Sequence, residues 1–418
     1  MVNVAEARSA YQPRVPESIE ALGIPPGLVT DLVLRRLYVK GLSSFHSLAE
    51  ALKLSVLVIE AVFRHLRQEQ LVEVRGMVGN DYSFALTQAG RQMAQGSFEI
   101  TKYAGAAPVS LKEYHKVAKL QAAKVRVNRK VLRDALSDLV VTERMLDQLG
   151  PALISQSSIF LYGPTGNGKT SLAERMLRIY QDAILVPYAV EVDNQFIMLY
   201  DPVLHERIET EELGIDPRWV LCRRPCVVTG GELVPGMLDL RLDEATNIYA
   251  APLQMKANNG ILVIDDFGRQ VMSPRELLNR WIVPLDRRVD YLSLAYGVKF
   301  QIPFEILVVF ATNLDPRALA DEAFLRRIQN KILVDAVDEQ CFDEILRRVA
   351  AAKNIPVEPD SAACLRGLCL RDGRTELRAC YPGDICNLLL AISRYENQPP
   401  RMTAADLERA TKLYFAQL

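Results

Sequence analysis

The sequence predicts an α/β protein in three parts: a small α+β domain, a P-loop core on a parallel sheet, and a C-terminal helical lid. Three observations predict it. Ser157 to Met176 reads SSIFLYGPTGNGKTSLAERM, an apolar run, then G-x-x-x-x-G-K-[ST], then a helical pattern. Gly260 to Phe267 reads GILVIDDF, an apolar run that ends in two carboxylates. Residues 27–94 carry three amphipathic helical patterns followed by two short β-type runs.

The bulk properties bound the problem first. A chain of 418 residues has room for two or three domains. Its 49% hydrophobic and 24% charged content is that of a protein that buries cores in water. Net charge is −1, so any surface for a polyanion must be local. The chain has no uninterrupted apolar run of about 18 residues and no apolar signal core near Met1, so a cytoplasmic protein without membrane insertion is expected. Seven cysteines, at Cys222, Cys226, Cys341, Cys364, Cys369, Cys380 and Cys386, form no C-x-x-C pair. Four histidines lie apart from them, so reduced, packed thiols are expected in place of disulfides or a zinc site.

Residues 1–25 are proline-containing and aperiodic, and read as a mobile arm. Residues 26–100 read as a winged-helix-like domain. GLVTDLVLRRLYVKG is a helix stopped by Gly41, SSFHSLAEALKL a second capped by Ser43 or Ser44, and SVLVIEAVFRHLRQEQL a third capped by Ser55. A hairpin follows around Gly76, Gly79 and Asn80-Asp81, and LTQAGRQMA closes the unit. Between Glu17 and Arg91 eight acidic residues balance eight basic ones. DNA affinity needs several unopposed Lys and Arg contacts, so docking to a protein partner is favoured over specific DNA reading.

Residues 101–130 read as a basic linker. From Lys102 to Arg133 nine basic residues face one acid, Glu113. Two readings stay open for this run: a surface for nucleic acid or phosphate, or the solvated face of linker helices, which the interleaved Leu111, Val117, Leu120, Val125 and Val131 favour.

Residues 131–335 form the nucleotide-binding core. The loop Gly163, Pro164, Thr165, Gly166, Asn167, Gly168, Lys169, Thr170, Ser171 can turn backbone N–H groups around phosphates, with a helix N-terminus aimed at the same anion. Lys169 can reach the terminal phosphates of ATP, and the Thr170 hydroxyl can ligate Mg²⁺. Asp265 is placed to hold the same metal and Asp266 to activate water. A second apolar strand, Phe304 to Asn313, delivers Asn313 to the same edge. Arg326 and Arg327 follow in a helical stretch, where a guanidinium suits developing phosphoryl charge. Residues 336–418 read as lid helices, with Thr403 capping the last.

In this order the P-loop, the DD strand, the ATN strand end and the RR helix resemble the AAA+ ATPases over residues 130–418. The resemblance assigns Lys169 and Thr170 to Walker A, Asp265 and Asp266 to Walker B, Asn313 to sensor 1, and Arg327, with Arg326 next, to the arginine finger. It implies ATP hydrolysis in an oligomeric ring, usually a hexamer, with the finger serving a neighbour. A helix and two short strands around Ala295-Tyr296-Gly297, before the sensor strand, resemble the pre-sensor 1 hairpin of MoxR-type ATPases, Mg-chelatase subunits and enhancer-binding activators. Gly236, Met237 and Leu238 lie where such proteins carry substrate-contacting loops, and are expected either to face a pore or to form a connector. Two departures stand out. Asp266 replaces the usual Glu, and Gly383 follows Pro382 where MoxR-type lids carry an arginine, leaving Arg378 as a substitute. The functional expectation is an ATP-dependent remodelling motor or switch acting on a protein; the alternative is a DNA-associated regulator or loader.

Overall fold

Five parallel strands form the centre of the computed structural model, which describes residues 12–78, 81–122, 127–209, 214–319 and 325–415. Their order is Cys226–Thr229, Ile261–Ile264, Leu307–Thr312, Ile159–Tyr162 and Asn330–Leu333. The inner strands are apolar throughout because both faces are covered. Alternate side chains divide between two layers. Ile159, Leu161, Ile261 and Val263 pack on one side with Leu149 and Leu172; Phe160, Leu262, Ile264 and Phe310 pack on the other with Leu277 and Trp281. The expected P-loop parallel-sheet core is therefore present, and a helical C-terminal lid follows it.

The N-terminal unit has the expected element order. Helices α1 (Pro26–Lys40), α2 (Phe45–Leu52) and α3 (Val56–Gln68) precede a hairpin of Val72–Val78 and Asp81–Leu86, and α4 (Gln88–Ile100) closes the unit. Ser44 caps α2 through the Ser47 N–H, Ser55 caps α3 and Thr87 caps α4. Ser43–Ser44 adds a short third strand beside Asp81–Leu86. Residues Gly79 and Asn80, expected at the hairpin turn, lie outside the described residues, as do residues 1–11 of the expected arm and Lys124 and Arg126 of the basic run.

Residues 101–122, expected in the basic linker, pack into the molecule. Val109–Ser110 pairs with Ala189–Val192, and α5 (Leu111–Leu120) lies across the same layer. Tyr103, Ala107, Val109, Tyr114, Val117 and Ala118 are buried. Tyr114, Val117 and Ala118 recur at helical spacing between the lysines, and that stripe is what draws the segment inward. It joins a second five-stranded sheet with Ala189–Val192, Gln195–Met198, Ile248–Ala250 and Arg241–Asp243. The N-terminal unit rests on this sheet, as Phe196 packs with Tyr103 in its core. Buried Arg218 ties the layers together, bonding Asp216 and the carbonyls of Leu22 and Pro108.

The expected hairpin around Ala295-Tyr296-Gly297 is present: Val289–Ser293 pairs antiparallel with Lys299–Pro303. The expectation that Gly236 to Leu238 could face a pore is corrected in part. Pro235–Met237 forms a turn, and Leu238 is buried in the core beside Leu233. The lid comprises Glu339–Ala352, Ser361–Cys369, Cys380–Tyr395 and Ala404–Tyr414, packed around Phe342, Leu346, Leu365, Ile385 and Leu407. Cys369 and Cys386 lie in that core, Cys364 and Cys380 at its margin, and all four thiols are free. Among the described residues no helix is long and apolar enough to cross a membrane.

Candidate functional site

Parallel register sets which residues meet at the carboxyl edge of the core sheet. Thr312 lies opposite Tyr162, and Phe310 lies opposite Ile264. The residues that follow those strands, Gly163, Asp265 and Asn313, therefore emerge at one edge, where ligands bind in such sheets. Further bonds fix the loop after the DD strand: the Phe267 N–H donates to the Ala311 carbonyl at 2.7 Å and the Thr312 hydroxyl to the Phe267 carbonyl at 2.7 Å. Asp266 is exposed in left-handed backbone, φ 46°, with its N–H on the Asp265 carboxylate.

The P-loop residues Gly163, Pro164, Thr165, Gly166, Asn167 and Gly168 run from the Ile159–Tyr162 strand to α8, Lys169–Arg175, preceded by α6 (Arg129–Ala135) and α7 (Glu143–Ser155). Gly163 adopts φ 138° against the Val334 carbonyl, and a side chain there would collide with it. Lys169 Nζ donates to the Gly163 and Pro164 carbonyls, each at 2.9 Å. Burial lowers its pKa from the ordinary value and Arg378 acts in the same sense, while Asp265 and Asp266 oppose both. The Thr170 hydroxyl donates to Asp265 Oδ2 at 2.7 Å, which joins the two expected metal ligands. Ser171 lies in the first turn of α8. Asn313 Oδ1 is buried without a hydrogen-bond partner.

These residues fit Mg-ATP. The Thr170 hydroxyl and Asp265 carboxylate are hard oxygen donors side by side, and Lys169 and Arg378 are cations at the loop. Among the described residues no cluster of three or more His, Cys, Asp or Glu could hold an ion alone. The Thr170–Asp265 oxygen pair suits Mg²⁺, which keeps waters and takes phosphate oxygens as ligands. Arg326 and Arg327 are not part of this cluster. Arg326 is exposed, and Arg327 Nε pairs with Asp286 at 2.9 Å.

Sequence reasoning missed how the lid meets the P-loop. Arg378 Nη1 donates to the Thr165 hydroxyl at 3.1 Å, the Ala379 N–H to Asn167 Oδ1 at 3.1 Å, and the Cys380 N–H to the Gly166 carbonyl at 2.8 Å. Beside this seam a cavity of about 580 Å³ is walled by Val141, Met145, Leu172, Val334, Val337 and Ile345, among others. Its lining, mostly apolar with polar groups such as Thr142 and Gln148, has the character of a site for a flat base. Glu232 was also missed. It accepts from the Thr229 hydroxyl and the Gly230 N–H, each at 3.0 Å, at the end of the strand beside the DD strand. No motif marks Glu232 or Val141; parallel pairing and lid docking bring them to the site.

Residues 338–413, the lid helices, match a family model described as a domain of unknown function, DUF8689. No curated protein sequence matches the chain. Among solved structures, NtrX from Brucella abortus is 14% identical with a TM-score of 0.42, covering 79% of this chain and 62% of that one. NtrX in complex with ATP gives 14%, 0.40, 78% and 63%. The RuvB Holliday junction branch migration motor of Thermotoga maritima gives 14%, 0.36, 70% and 72%. This chain thus spans less than two thirds of the NtrX chains, and the likeness at these scores says nothing about its activity.

Proposed function

We propose that the chain is a Mg-ATP-dependent AAA+ ATPase that works as an oligomeric remodelling motor or switch on a protein partner. The observation that carries the reading is the 2.7 Å bond between the Thr170 hydroxyl and Asp265, which joins P-loop and DD strand at one sheet edge. The N–H groups of Gly166 to Thr170 and the Lys169 ammonium hold the phosphates, and Asn313 orients the terminal phosphate or the attacking water. Thr170 and Asp265 would hold Mg²⁺, which would neutralise phosphate charge. Asp266 accepts a proton from water as its oxygen attacks the γ-phosphorus and the β–γ bridging bond breaks, releasing ADP and phosphate. Arg378, against Thr165, takes the part of the arginine that Gly383 displaces. Arg327, with Arg326 beside it, serves the ATP of a neighbouring subunit in a ring, a hexamer by resemblance. The charge-balanced winged-helix-like domain docks the protein. The alternative of a DNA-associated regulator or loader draws on the lysines of α5.

Titration of labelled ATP tests the site: Lys169→Ala should bind at least about 100-fold more weakly, since a charge-assisted phosphate contact is lost. Unchanged affinity would overturn the assignment. Steady-state ATPase activity against protein concentration tests the ring. Specific activity should rise with concentration and collapse in Arg327→Ala; a concentration-independent rate untouched by that change would rule out a finger acting in trans.

A further inference from the structure

The structure sorts the basic run between Lys102 and Arg133 into groups with different fates. Arg129 pairs with Glu143 and Asp147, and Arg133 pairs with Glu143, so those charges are met by α7. Lys102 lies near the Asp243 carboxylate. Lys112, Lys116 and Lys119 lie on α5, and all three are exposed. At 100° per residue they fall within an arc of about 60°, a single row about 10 Å long.

The row does not end at the helix. His115 Nε2 lies 2.6 Å from the Gln301 carbonyl and fixes α5 alongside the Lys299–Pro303 strand of the hairpin. That hairpin buries Leu292, Phe300 and Ile302, and turns Tyr291, Ser293, Lys299 and Gln301 outward. Tyr291 is 52% exposed. The acids near the row are engaged, two of them in part by the row itself. Glu113 is half-buried, pairs with Arg218 at 3.5 Å and lies in the field of Lys116. Glu305 is half-buried in the fields of Arg288 and Lys119. Asp290 is buried against Arg280. Asp193, at the hairpin tip, accepts the Tyr296 hydroxyl at 2.9 Å.

We propose that Lys112, Lys116 and Lys119 of α5, with Lys299 and Tyr291 of the adjoining hairpin, form a binding track for single-stranded nucleic acid. Charge complementarity selects a regular polyanion, since a straight row of cations matches evenly spaced phosphates. The exposed Tyr291 ring selects unpaired bases, which present a face for stacking that a duplex keeps covered. The winged-helix-like domain is charge-balanced. The track is independent of the nucleotide-site assignment and stands or falls separately from it.

Fluorescence anisotropy of a labelled oligothymidylate with the full chain tests the proposal, with the same oligonucleotide annealed to its complement as the comparison. Four phosphate contacts predict a log–log salt slope near −3 between about 50 and 200 mM salt. The triple variant Lys112→Gln/Lys116→Gln/Lys119→Gln should bring it to about −1 and weaken binding at least about ten-fold at the lower salt. Tyr291→Ala should weaken binding about five-fold or more at every salt and leave the slope unchanged. All four substitutions are at exposed positions, and unchanged thermal unfolding confirms that the fold persists. Salt-insensitive or absent binding by the wild type, a slope unmoved in the triple variant, or duplex binding as tight as single-strand binding with Tyr291→Ala silent would each overturn it. ATP affinity that survives in Lys169→Ala would sink the nucleotide-site reading and leave this one standing.

Discussion

Gly166 is where P-loop and lid come closest, and adding one methyl group there measures the contact. Its φ is 81°, and an added Cβ would lie 2.5 Å from Cys380 Sγ, then 3.5 Å from Cys380 Cβ and 3.7 Å from Arg378 Cδ. Left-handed backbone costs a non-glycine residue about 1–2 kcal/mol whatever surrounds it. Displacing a packed thiol adds overpacking of about 1–3 kcal/mol. Gly166→Ala should therefore lose about 2–5 kcal/mol in the native sequence. With Cys380→Ala already in place it should lose only the conformational part, because the remaining neighbours stand at ordinary contact distance. Urea unfolding of the wild type, both single variants and the double variant gives the coupling as the deviation from additivity. A deviation of about 1–3 kcal/mol is expected. Additivity within about 0.5 kcal/mol would refute the reasoning, since the lid thiol would then not lie against the P-loop.

Three further outcomes follow from other parts of the fold. His205 accepts the Asp201 N–H through Nδ1 at 2.9 Å and sets Nε2 2.8 Å from the Lys256 carbonyl, and burial lowers its pKa from the ordinary 6.5. The unfolded chain therefore takes up the proton first as pH falls below 6.5, and stability should drop with a slope approaching about 1.4 kcal/mol per pH unit. His205→Gln should flatten that slope in urea titrations repeated across pH, and an unaltered slope would assign it elsewhere. Arg218→Met strands the fully buried Asp216 and two carbonyls, so unfolding should become easier by about 3–5 kcal/mol; a loss below about 1 kcal/mol would show the pair to be dispensable. Asp266→Asn should slow ATP turnover by about 10²-fold or more while sparing ATP affinity in single-turnover and binding assays; unchanged turnover would shift the role of base to another group, with Glu232 a candidate at the end of the neighbouring strand.

How far the fold was legible depended on whether a segment's partner lay in its own pattern. Ile261–Ile264 and Leu307–Ala311 are four- and five-residue apolar runs buried on both faces, and such runs read as central strands without further help. The caps at Ser44, Ser55 and Thr403 are local interactions and read equally well; the Thr87 cap was not read. The second sheet was passed over because its strands are short and come from three distant stretches. One signal was present: Asp193-Asn194 sits between Ala189–Val192 and Gln195–Met198, and both residues take positive φ, 49° and 61°, as a two-residue hairpin turn demands. In the basic run the charges are denser than the apolar stripe, yet Tyr114, Val117 and Ala118 decide where α5 packs, and the lysines between them lie on its outer side.

The lid contact shows why a motif-based reading of the site stops short. A cation carried inside a lid helix moves with that helix as a rigid body. Arg378 instead precedes Cys380–Tyr395, and its position is set by a bond to Thr165 and by the two neighbouring N–H groups, Ala379 on Asn167 and Cys380 on Gly166. Three successive lid residues thus grip three successive P-loop residues, and a rotation of the lid that broke one bond would strain the other two. Each bond is worth about 0.5–1.5 kcal/mol alone. Made together on one short segment they act as a unit, so lid position and P-loop geometry are coupled whichever residue a nucleotide touches first.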